Sequence, residues 1–272
     1  MNAYTTIQIC DDSNVRTIKL NRPEKRNALN PVMIEELTTA LEHAADGPCG
    51  AIILTGAGKC FCAGLDLDEL QKMESRTHEE HQEDAERFAR LIRLLYDFPK
   101  PTIAAVNGAA IAGGTGLATV CDFTYASQDA SFGYTEVKIG FVPAIVSSFL
   151  LRQVGEKQAR DLLLSGRIFD AKEANHLGLV TRIIVHPQIL LREAFNLGLC
   201  LLKNSPESMR WTKGLLSEHA REVLDSELTN AAVWNARAKE NDDFREGIHA
   251  FLEKRPPQWP SMHKKTSRFH PV

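Results

Sequence analysis

This 272-residue chain lacks a strong charge of either sign: 32 Lys and Arg stand against 35 Asp and Glu, for a formal net charge of -3. That balance gives no reason to expect nucleic acid or an acidic membrane surface as partner. It also lacks any apolar run long enough to span a bilayer. The opening MNAYTTIQICDDS has no secretory pattern, so a cytoplasmic protein is expected. Its six cysteines (Cys10, Cys49, Cys60, Cys62, Cys121 and Cys200) are scattered and form no disulfide framework. Cys60-Phe61-Cys62 has the wrong spacing for a zinc knuckle or a redox pair, and the nine histidines show no ligand spacing, so no metal site is expected. Internal repeats and low-complexity linkers are missing too. With 43% hydrophobic residues, the chain can nonetheless bury a substantial core, as one large domain or one with a small appendage.

What is present centres on Pro101 to Asp122, PTIAAVNGAAIAGGTGLATVCD. Thr102 to Val106 reads as a buried strand, Asn107-Gly108 breaks it, and small residues lead to Ala112-Gly113-Gly114 before a helix-like stretch from Thr115. A strand, a glycine-rich turn and a helix start leave backbone N–H groups unpaired. Such donors suit a phosphate, a carboxylate or the oxyanion of an enolised thioester. The turn has neither the lysine of a P-loop nor dinucleotide-binding spacing. A close-packed corner is the alternative.

A second corner of the same kind lies upstream. Ala51 to Thr55 reads as a strand, and the loop GAGKCFCAGLDLDEL carries Ala63-Gly64 into a helix beginning near Asp66. Two separate backbone donors, at Leu65 and Gly113, are what an oxyanion hole needs. Asp66 and Asp68 stand where acids complement a helix dipole. Between Asn21 and Leu29 the loop holds three cations, Arg22, Lys25 and Arg26, either phosphate ligands or solvated charge.

Around these corners the pattern predicts a hairpin from Tyr4 to Leu20 and a helix capped by Asn30 with Pro31 next. Met73 to Arg87 reads as an exposed helix or mobile cover, and Phe88 to Leu95 as a buried helical face. Strands are expected at Phe123 to Ala126 and Leu179 to Val185. Helices are expected between Gly155 and Gly166, from Asp170 to Gly178, and at roughly 187–203, 206–218, 226–239 and 244–254. Glu136, among glycines and aromatics in FGYTEVKIGFVP, is either a desolvated carboxylate poised for acid–base work or a rim residue paired with Lys138.

Several blocks in order, NRPEKRNALN, GKCFCAGLDL, Ile103 to Asp122 and AFLEKR, make the chain resemble the crotonase (enoyl-CoA hydratase/isomerase) family over nearly its whole length. The resemblance implies an α/β fold: a spiral of ββα units over residues 1–195, then a C-terminal helical trimerisation region over 196–272. It implies an acyl-CoA ligand, coenzyme A being part of the substrate rather than a cofactor, and a homotrimer or dimer of trimers. Leu65 and Gly113 N–H groups would hold the thioester oxygen, with Glu136 as catalytic carboxylate. Lys25 and Arg26 would lie near the phosphates, and Ala28, Ala63, Leu65, Asp66, Leu67 and Asp68 beside the adenine and pantetheine. Phe251 and Lys254 match residues that reach the CoA of a neighbouring subunit.

One departure bears on chemistry. The position of a first glutamate in the family's two-acid hydratases is Gly116 here. The resemblance therefore implies an enoyl-CoA hydratase of fatty-acid metabolism working with Glu136 alone, helped by a hydroxyl such as Tyr134 or Thr115. Hydroxycinnamoyl-CoA hydratase-lyases are single-glutamate precedents. A Δ3,Δ2-enoyl-CoA isomerase shuttling a proton through Glu136 is the alternative, and a non-catalytic acyl-CoA-binding oligomer the third. Ala144 stands where dienoyl-CoA isomerases place an aspartate. Small residues at Thr115 and Gly116, with the Met73–Arg87 cover, suggest room for a branched or bulky acyl group.

Overall fold

Alternating apolar residues near the N-terminus pair as a hairpin. The computed structural model describes residues 4–262, apart from the Glu74 side chain. In it, β1 (Ile7–Asp12) and β2 (Val15–Leu20) run antiparallel. Ser13 and Asn14 alone make the turn, at φ 48° and 61°, the primed geometry whose twist suits a hairpin. A loop then leads to α1 (Pro31–Asp46), where the Asn30 side chain accepts from the Met33 N–H at 2.9 Å.

From here the chain alternates between two sheets. The first coil is β3 (Ala51–Gly56), β4 (Cys60–Cys62), α2 (Leu67–Lys72) and α3 (His78–Tyr96). The second is β5 (Thr102–Val106), β6 (Ala109–Ile111) and α4 (Gly113–Thr119). The third is β7 (Phe123–Ser127), β8 (Ser131–Gly133), a 3-10 turn over Glu136–Ile139 and α5 (Ala144–Ser165), which breaks at Gly155. Then come β9 (Ile168–Asp170), α6 (Ala171–His176), β10 (Arg182–Ile184) and the helices α7 (Leu190–Leu201), α8 (Pro206–Glu218), α9 (Arg221–Lys239) and α10 (Asp242–Leu252). The larger sheet has the order β1-β2-β3-β5-β7-β10, parallel beyond the hairpin, and the smaller β4-β6-β8-β9. This is the ββα spiral that the resemblance implied.

Asn107 fixes one corner between sheets: its Oδ1 accepts from Gly56 N–H at 3.2 Å, and its Nδ2 donates to the Gly56 and Gly58 carbonyls at 3.0 and 2.9 Å. The central strands are apolar throughout because both faces are covered. On β3 and β5, Ile53, Ile103 and Ala105 face a cluster with Leu190 and Ala194 of α7, while Ile52, Leu54, Ala104 and Val106 face the main core.

The structure corrects three expectations. Of the two readings of Met73 to Arg87, the helix holds from His78, where α3 starts from a Thr77–Glu80 capping box, but the stretch is not exposed throughout, since Met73, His81 and Ala85 are buried. The last strand is short, because Leu179 and Val180 instead bond back to Ala174 O at the end of α6. β4, β6, β8 and β9 escaped prediction because three residues are too few to show a period. At the C-terminal end α9 packs on α3 and α5, and α10 closes over α2 through Phe244 and Ile248. No helix among the described residues is long and apolar enough to cross a membrane.

Candidate functional site

Two backbone corners meet where the spiral's first and second coils touch. Gly64 has φ 86°; Leu29 N–H donates to its carbonyl at 2.7 Å and Asp66 N–H donates back to Leu29 O at 2.8 Å. Between them, the Leu65 amide has no acceptor among the described residues. In the second corner Ala112 sits at φ 53° and ψ -122°, anchored by its N–H to Gly133 O at 2.7 Å. That conformation costs a non-glycine residue about 1–3 kcal/mol and is held only where surroundings over-determine it. It turns the chain into α4 with the Gly113 amide also lacking an acceptor among the described residues.

Close approach joins the corners. A Cβ on Gly64 would stand 3.1 Å from Ala112 Cβ, and one on Gly114 would fall 2.3 Å from Cys62 O. Leu65 and Gly113 both line a cavity of about 820 Å³, and Glu136 lines it too. Glu136 is 7% exposed, its Oε2 has no hydrogen-bond partner among the described residues, and desolvation pushes its pKa up to about 7. Lys138 points to solvent and makes no ion pair with it, so the rim-pair alternative falls. The arrangement can polarise a carbonyl oxygen through two amides while a carboxylate near neutral pKa moves a proton beside it.

The residues expected to hold the thioester, move the proton or bind CoA all line this cavity: Lys25, Arg26, Ala28, Ala63, Leu65, Asp66, Leu67, Asp68, Gly113, Glu136, Phe251 and Lys254. The three loop cations have different fates. Arg22 is pinned inward, 2.6 Å from buried Asp66 and donating to Ala28 O at 2.7 Å. Lys25 pairs at the surface with Asp68 at 2.9 Å. Arg26, at φ 52°, has no carboxylate within reach among the described residues. Asp66 is thus occupied: besides Arg22, its side chain accepts from Asp68 N–H at 2.9 Å to cap α2. Phe251 and Lys254, at the end of α10 and just beyond it, line this chain's own cavity.

Two helper hydroxyls do not reach the site. Thr115 Oγ1 donates to Ala110 O at 2.6 Å and accepts from Gly133 N–H at 3.2 Å; Tyr134 is buried with its hydroxyl 3.4 Å from Thr119 Oγ1. Both are scaffold, and neither lines the cavity. Gly116 does not open the pocket either. A Cβ there would lie 2.4 Å from Val146 Cγ1, so Val146 of α5 occupies the space of any side chain at 116 and itself lines the cavity. Sequence reasoning missed Val146, along with Arg22 as the Asp66 partner and Asn235 and Lys239 of α9 in the cavity wall. Each contact joins distant segments, and none leaves a local signal. Among the described residues no cluster of His, Cys, Asp or Glu could hold a metal ion.

The chain matches the family described as Enoyl-CoA hydratase/isomerase over residues 11–262. A Thermus thermophilus protein named "Putative enoyl-CoA hydratase" is 47% identical, over 92% of this chain and 98% of that one. The mouse "Delta(3,5)-Delta(2,4)-dienoyl-CoA isomerase, mitochondrial" is 32% identical, over 93% of this chain and 81% of its own. Among solved structures, an enoyl-CoA hydratase/isomerase from Pseudoalteromonas atlantica superposes with a TM-score of 0.84 at 31% identity, covering 94% of this chain and all of that one. With motifs, fold and relatives agreeing along nearly its whole length, the chain belongs to the enoyl-CoA hydratase/isomerase family.

Proposed function

We propose that this protein is an enoyl-CoA hydratase that adds water across a 2-enoyl-CoA through a thioester enolate. One observation carries the reading: a buried carboxylate with a pKa near 7 shares a cavity with two adjoining amides, and neither its Oε2 nor those amides have a partner among the described residues. The Leu65 and Gly113 N–H groups hold the thioester oxygen and stabilise the negative charge that develops there; losing one such donor typically costs about 3 kcal/mol of barrier. Glu136 as carboxylate takes a proton from the water that attacks C3. As carboxylic acid it returns that proton to C2, so one group serves both steps. Coenzyme A is part of the substrate, with Arg26, Lys25 and Lys254 at its phosphate end, and no cofactor or metal takes part.

A second reading has its own support. Val146 fills the place of a second carboxylate, and one base is enough to move a proton from C2 to C4 of a 3-enoyl-CoA. Ala144 lines the cavity without a carboxylate, which counts against dienoyl isomerisation. A paired assay of the protein and its Glu136→Gln variant tests both. Loss of conjugated absorbance from 2-enoyl-CoA, abolished in the variant, supports hydration. Conjugation arising from 3-enoyl-CoA without water addition makes it an isomerase, and CoA binding without any turnover makes it a non-catalytic binder. For the assembly we propose a homotrimer or a pair of trimers in the cytoplasm, with Trp211, Leu215 and Leu216 exposed on α8 as a contact face.

A further inference from the structure

The cavity has a second polar pole, away from the oxyanion corner. Phe88 of α3 stands over Gly113, with Cζ 3.0 Å from where a Gly113 Cβ would be. One turn towards the start of α3 lies Asp84, and beyond it His81, whose carbonyl accepts from Lys239 Nζ at 3.3 Å. Seven residues of helix span roughly 10 Å, so the Lys239 ammonium sits about that far along α3 from the corner. Asn235, one turn from Lys239 on the same face of α9, lines the cavity with it.

Both side chains are buried and under-used. Among the described residues, Asn235 (8% exposed) has no partner for its Oδ1, and Lys239 (5% exposed) makes one long hydrogen bond for three donors. Neighbouring acids do not satisfy Lys239. Asp84 is held by Arg76 and Arg87, and Glu69 by Arg76 and Lys72, leaving no carboxylate within 4.0 Å of the ammonium among the described residues. The cavity wall here carries Arg76, Arg87 and Lys239 against Glu69 and Asp84, an excess of one positive charge. Desolvation lowers the Lys239 pKa to about 8, which still leaves it mostly protonated at neutral pH. A buried cation without a counter-ion is costly, and a ligand anion removes that cost. With no bond fixing it, the Asn235 amide can turn its NH2 to the same anion.

We propose that the acyl chain accepted by this site ends in a carboxylate, held by Lys239 and the Asn235 amide. The proposal rests on the acyl-CoA reading above. It is tested by kcat/KM for matched 2-enoyl-CoA thioesters with alkyl, hydroxyl and carboxylate tails of several lengths. The expected result is at least a tenfold preference for a carboxylate tail, kept in Lys239→Arg and collapsing to about one in Lys239→Met. A second readout needs no variant. Binding of a carboxylate-tailed acyl-CoA by the unmodified protein near pH 8 should take up protons in calorimetry across buffers, and alkyl-tailed binding should not. Turnover with equal or greater preference for the alkyl or hydroxyl tail, or no proton uptake, overturns the proposal while leaving the hydratase reading intact. Failure to bind CoA or turn over any thioester overturns both.

Discussion

Replacing Glu136 by Gln should stabilise the fold at alkaline pH while removing turnover. Burial raises the Glu136 pKa to about 7 from a reference of 4.5. Between those values the folded protein keeps a proton that the unfolded chain has released. Stability is therefore fully present below the unfolded pKa and is lost as pH rises to the folded one. A gap of about 2.5 units at roughly 1.36 kcal/mol each sets the total loss near 3 kcal/mol. The glutamine carries no charge at any pH, so its own packing effect is a constant offset. Urea unfolding at fixed protein concentration, at about pH 5.5 and about pH 8.5, isolates the ionisation: the variant's advantage should grow by about 2 kcal/mol between them. A pH-independent difference, or one that shrinks, would refute the claim that a desolvated, unpaired carboxylate stands in this cavity.

Turnover of the unmodified protein should rise with pH through an apparent pKa near 7, as Glu136 ionises to act as base, and the Gln variant should lose about 10²- to 10⁴-fold in kcat. A flat pH–rate profile would count against that role. Gly116→Ala drives a Cβ to 2.4 Å from Val146 Cγ1 and should destabilise by about 1–3 kcal/mol, a loss that Val146→Ala in the same chain should largely restore. Purely additive effects in that double-mutant cycle would remove Val146 from the account. Asp66→Ala strands Arg22 and uncaps α2, so it should cost about 3 kcal/mol in thermal unfolding and raise KM for acyl-CoA. An unchanged melting temperature would show that the pair contributes little.

The sequence by itself determined the local chemistry. Asn30 and Pro31 start α1, Asp66 starts α2, and apolar runs without polar alternation mark β3 and β5 as strands covered on both faces. The two glycine-bearing corners and the glutamate among aromatics were legible, because caps, turns and motifs depend on residues within a few positions of one another, and the family resemblance marked Gly116 as the place of a missing carboxylate. Only the tertiary structure decided which groups meet. Arg22 finds Asp66, Val146 fills the space at Gly116, Thr115 and Tyr134 turn away from the cavity, and Lys239 enters it without a counter-ion. Those outcomes depend on how separate coils of the spiral pack together. Burial and partnership across such contacts, more than residue type, set whether a charge is neutralised, raised in pKa or left waiting for a ligand.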